Sequence, residues 1–119
     1  MAEGTVSKMI AYTTVQVYPI QHTSSGGSDY INTSFSVKKG YRVGINLKTS
    51  SNANAFNLQI NGSVHGSYYS QTLNNVDFNN GNSTYSFISD ADEIISVTGY
   101  EQGAQTITGA IIVSAPLYL

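Results

Sequence analysis

Apolar residues recur at every second position along most of the chain. Ile31, Thr33, Phe35 and Val37 alternate with Asn32, Ser34 and Ser36, and Tyr41, Val43, Ile45 and Leu47 alternate with Arg42, Gly44 and Asn46. A period of two places one set against a core and the other in water, so both runs are predicted as half-buried strands. Lys38-Lys39-Gly40 between them has the length of a tight hairpin turn, with Gly able to take a positive φ. Phe56, Leu58 and Ile60 alternate in the same way with Asn57, Gln59 and Asn61, and Asn61-Gly62 supplies a turn dipeptide.

The pattern continues to the end of the chain. A short strand is expected from about Tyr68 to Leu73, and a brief one through Tyr85 and Phe87. Ser89-Asp90-Ala91-Asp92 reads as a turn, because such side chains bond their own backbone. The next strand buries either Ile95, Val97 and Gly99 or the opposite set, Ile94, Ser96, Thr98 and Tyr100. The last runs from Thr106 to Ser114, with Ile107, Gly109, Ile111 and Val113 on one face and Pro116 closing it. Near the start, Ile10 and Tyr12 fall on one parity and Val15 and Val17 on the other, which a bulge near Thr13-Thr14 would reconcile with a single core face. About eight strands separated by frequent turns, with no helical periodicity, predict an all-β antiparallel sandwich or barrel. Its core is expected to hold Phe35, Val43, Ile45, Leu47, Phe56, Leu58, Ile60, Phe87, Val97, Ile111 and Val113.

Composition narrows the function. The 119 residues suffice for one β-sandwich domain, 1–119, with a short polar segment at 1–7. Charged residues make up only 10%, and nine Tyr accompany no Trp and no Cys. The surface is therefore polar but mostly uncharged, and neither disulfides nor thiolate metal sites are available. A net charge of −2 and a small cluster of Lys38, Lys39, Arg42 and Lys48 cannot neutralise the phosphates of a nucleic acid, so no nucleic-acid partner is expected. Thr13, Thr14 and Gln16 interrupt the only apolar stretch near the N-terminus, so no signal peptide is expected. No run is long enough to span a bilayer, so no membrane partner is expected. An Asn-, Ser-, Thr- and Tyr-rich surface on such a chain is common among virion proteins, which leave the cell by lysis.

Three segments in order carry a resemblance: "GYRVGINL", "YSFISDADEI" and "TITGAIIVSAPL". This order resembles the jelly-roll modules of phage tail, baseplate and head-fibre proteins, which are similar to carbohydrate-binding modules. The resemblance implies a jelly-roll-like β-sandwich in a virion, made in the host cytoplasm and used for assembly, decoration or host attachment. It implies other virion proteins as partners, a homo-oligomer, and no enzymatic activity. The alternative it leaves open is a carbohydrate-binding module contacting a bacterial surface glycan, with Tyr in place of the missing Trp.

Candidate chemistry is sparse. Hydrolysis would need two of Glu3, Asp29, Asp77, Asp90, Asp92, Glu93 and Glu101 across one bond, and no spacing singles out a pair. Asp90, Asp92 and Glu93 share one turn and offer hard oxygen ligands suited to a structural calcium ion; no other cofactor is expected. His22 and His65 sit in Ser/Gly-rich contexts and read as plain surface residues. "TSSGGSD" reads as a flexible loop, and the sequons at Asn32, Asn61 and Asn82 as chance products of composition. Tyr68 and Tyr69 should point to opposite faces of a strand, which leaves one for binding or subunit contact. Tyr100 and the apolar Leu117, Tyr118 and Leu119 complete the candidate interface.

Overall fold

The computed structural model describes residues 8–24, 28–50, 56–73 and 84–119. Eight strands follow one another: β1 Met9–Ser24, β2 Ser28–Val37, β3 Arg42–Thr49, β4 Phe56–Gly62, β5 Gly66–Leu73, β6 Tyr85–Ile88, β7 Glu93–Gln102 and β8 Gln105–Tyr118. They form two four-stranded antiparallel sheets, β1-β8-β3-β6 (sheet A) and β2-β7-β4-β5 (sheet B).

The pairing is nested. The first strand pairs with the last, β2 with β7, β3 with β6 and β4 with β5, so the chain is one long hairpin bent at β4–β5. Rolling that hairpin onto itself adds the pairs β3–β8 and β4–β7, which complete a jelly roll. Consecutive strands β2 and β3 thus lie in different sheets, and the expected hairpin at Lys38-Lys39-Gly40 is instead a crossing between sheets. Alternation marks a strand but does not name its neighbour. The turn itself forms as expected, with Gly40 at φ +92 and Tyr41 N–H donating to Lys38 O at 3.1 Å.

Between the sheets lie all eleven residues expected in the core, joined by Ile20, Val37, Leu73, Ile95 and Ile107. The ambiguity in β7 resolves to the Ile95, Val97 and Gly99 face. Gly99 is required there because the Phe56 ring occupies the space a Cβ would fill.

Three local expectations are corrected. The register shifts in β1 fall between Met9 and Ala11 and between Thr14 and Gln16, and they do not return its first half to the core: Ile10, Val15 and Val17 stay exposed. Sheet B has strands of seven to ten residues, whereas β1 has 16 and β8 has 14, so part of the β1–β8 ladder has nothing opposite to cover it. Pro116 does not close β8, which continues to Tyr118. Past Ser114 the strand has β1 alone as neighbour, and a proline without an N–H is tolerated where one ladder is missing. The turn after β4 is Ser63–His65, not Asn61-Gly62, which remain in the strand.

Ile45→Ala should cost about 2–5 kcal/mol, by lost burial and a residual cavity. Ile94→Ala, on the outward face of β7, should stay within about 0.5 kcal/mol of wild type. Urea unfolding of both variants beside the wild type checks the face assignment, and equal costs would contradict it.

Candidate functional site

Three turns meet at one end of the sandwich: residues 38–41, 63–65 and 89–92. Glu93 opens β7 on the parity of Ile95 and Val97, so the strand carries its side chain inward, and only 6% of it is exposed. A buried carboxylate persists only if its oxygens find donors. Oε1 accepts the backbone N–H groups of Val64 at 3.0 Å and His65 at 2.9 Å, and Oε2 faces Tyr68 Oη at 2.5 Å and Ser89 Oγ at 3.1 Å. Gly62 makes the room, since a Cβ there would overlap the carboxylate.

Burial opposes ionisation of Glu93, but the bonds from His65, Tyr68, Val64 and Ser89 together outweigh it and hold the pKa below the ordinary 4.5. The same pair acts oppositely on Tyr68. Desolvation, then the bond to Glu93, pushes its phenol up to about 12, so it remains a donor.

Asp90 lies outside this pair. Its Oδ2 is 2.6 Å from His65 Nδ1 and its Oδ1 is 3.1 Å from Tyr68 Oη, while its own N–H donates to that oxygen at 3.2 Å. His65 stacks on Tyr68 with centroids 3.8 Å apart, and Tyr68 on Phe87 at 4.2 Å. Asp92 turns away and accepts Lys39 N–H at 2.8 Å. Of the three carboxylates expected to share a calcium ion, Asp90 and Glu93 thus share Tyr68 as a partner, and Asp92 bonds elsewhere. Among the described residues, no group of three or more His, Cys, Asp or Glu is arranged to hold a metal ion.

Glu101 closes the inward face of β7 at the opposite end and is fully buried. Its Oε1 lies 2.7 Å from His22 Nδ1 on β1, a link from sheet B to sheet A. Its Oε2 has no hydrogen-bond partner among the described residues. Beside it, Thr49 Oγ1 donates to Gln105 Oε1 at 2.6 Å. Neither histidine is thus a plain surface residue. Both glutamates share the parity of Ile95 and Val97, a signal present in the sequence that composition-based reasoning passed over.

The two tyrosines expected on opposite faces do not separate. The register of β5 slips by one residue at Tyr68, so Ile60 faces Tyr69 and Asn61 faces Ser67, and a bulge of this kind lets adjacent side chains share a side. Both are half-buried, Tyr69 against Tyr85 with centroids 4.4 Å apart. Tyr100 is exposed on the outer face of sheet B, among Asn57, Gln59, Ser70, Thr72 and Thr98, a surface of amides and hydroxyls without charge.

Leu117, Tyr118 and Leu119 are exposed at 44%, 58% and 84%. They do not tuck under the sandwich. Met9, Ile10, Val15 and Val17 join them, so most of the exposed large apolar residues among those described lie on the β1–β8 ladder. Neither β1 nor β8 contains a single Asp, Glu, Lys or Arg.

Glu93 stabilises the fold above its unfolded pKa, and this contribution should fade as pH falls from 4.5 through the depressed folded value. Glu93→Gln should lose roughly 1–3 kcal/mol at neutral pH and show a flatter decline toward acid. Urea midpoints of both proteins between about pH 7 and about pH 3 measure this; identical pH slopes would contradict it. No protein-family model, no curated protein and no solved structure matches the chain.

Proposed function

We propose that the chain is a non-enzymatic structural module of a phage virion, a capsid or tail surface component for assembly, decoration or host attachment. The observation that carries this reading is the β1–β8 ladder, charge-free over both strands and apolar on surfaces that sheet B does not cover. A two-stranded ribbon is marginal alone in water, and a cluster of exposed apolar residues on it is the mark of a contact with another protein. The jelly roll is also an architecture of viral capsid domains, an analogy of fold that supports the reading.

A second reading rests on a different face. The outer side of sheet B, with Asn57, Gln59, Ser70, Thr72 and Thr98 beside the exposed Tyr100, offers hydrogen-bonding groups and a ring without charge. Such a surface suits a neutral glycan, the ring stacking on the apolar side of a sugar. The two readings are compatible in a host-attachment protein, where one face joins the particle and the other meets the cell.

Particles purified on a density gradient from lysed, infected cells should carry the chain in stoichiometric amounts. A chain that stays at the top of the gradient would overturn the assembly reading. Retardation of the purified chain in gels containing capsular or cell-wall polysaccharide, lost in Tyr100→Ala, is the result expected of the glycan face. Because few charges are involved, attachment to the particle should change less than about tenfold between low and physiological salt.

A further inference from the structure

The outer face of sheet A carries both a projection and a recess. On β8, Ile112, Ser114, Pro116 and Tyr118 share the parity that points away from the core, and Tyr118 projects at the end, 58% exposed. Where Ile112 pairs with Gly44 of β3, the missing side chain leaves a depression of about 140 Å³, lined by Arg42, Gly44, Asn46, Ser86, Ile112 and Ser114. Along the strand, Ile112 and Tyr118 are separated by roughly 20 Å.

We infer that two copies of this chain associate through these faces, Tyr118 of each filling the Gly44 depression of the other. The inference rests on the assembly reading above and names its first partner as a second copy. A projection and a recess on one face complement each other when a two-fold axis passes midway between them, here across the strands near Ala115. The same axis brings Met9, which is opposite Tyr118 in register, onto the partner's Val17, which is opposite Ile112. These two are 45% and 44% exposed, so an apolar pair is covered on each side.

Charge supports a copy as the occupant. The overlap is uncharged except for Arg42, which rims the recess and lies where its guanidinium can meet the face of the entering Tyr118 ring. Lys48 pairs with Thr108, beyond the overlap, and stays in water. Addition of a strand at the free edge of β1 is disfavoured, because two register shifts and Pro19 interrupt it, which leaves the face as the surface to cover. Stacked sheets lie about 10 Å apart, and an overlap of this length buries on the order of 1,000 Å² in total. That size belongs to a concentration-dependent dimer.

Sedimentation equilibrium of the full chain over a range of concentrations should give a monomer–dimer equilibrium. Gly44→Val fills the recess. A Cβ on Gly44 meets only Ile112 O, at an ordinary 3.9 Å, so the fold should tolerate the change with an unaltered melting temperature. Gly44→Val and Tyr118→Ala should each weaken the dimer by at least about tenfold, while Gln59→Ala on sheet B leaves it unchanged. A wild type that is monomeric throughout, or trimeric, would overturn the inference, as would a dimer that survives both single variants. If particles still carry a chain that is monomeric in solution, the pairing fails and the assembly reading stands; if the dimer forms and particles lack the chain, the reverse holds.

Discussion

Sheet A depends on one ladder, the pairing of the first strand with the last. β1 and β8 meet from Met9 and Tyr118 at one end to Ser24 and Gln105 at the other. No local turn joins them, so the entropy of closing nearly the whole chain must be offset by hydrogen bonds and by burial on the sandwich side. Once they are joined, β8 offers its other edge to β3, and β3 holds β6, so sheet A is assembled outward from this contact. The long excess of these two strands over those of sheet B then creates the uncovered apolar surface.

Glu93 has a comparable role at the scale of a few residues. Two turns that are distant in sequence, 63–65 and 89–92, converge with β5 on the same small volume, where Val64, His65, Tyr68 and Ser89 satisfy one carboxylate. A charge that must be buried with its donors in place holds the turns in one arrangement, because loosening any of them strands an ionised oxygen in an apolar setting. Glu101 and His22 perform a looser version at the far end, where one bond joins the two sheets.

The core was legible because burial follows parity: Val43, Ile45 and Leu47 could not all face inward in any other element. Strand neighbours were not legible, since Lys38-Lys39-Gly40 is equally good chemistry for a hairpin and for a crossing between sheets. The bulge at Tyr68 was hidden for a related reason. One extra residue inverts a side chain's face without altering the local pattern of residue types. The site suffered from reading acids by proximity in sequence: Asp90, Asp92 and Glu93 are adjacent along the chain, yet the strand that starts at Glu93 takes it indoors and leaves the others on the turn. At Leu117, Tyr118 and Leu119 the sequence identified apolar residues in need of cover, and the geometry of the ladder set Leu117 and Tyr118 on its opposite faces.

The nested pairing also sets a schedule during synthesis. A chain emerging from the ribosome presents β4 and β5 as a local hairpin early, but β1 has no partner until β8 has left the exit tunnel. The uncovered surface of sheet A is built from both strands, so it is absent until β8 has emerged. A nascent polypeptide is thereby kept from engaging neighbours on the same polysome through that surface until β8 has emerged.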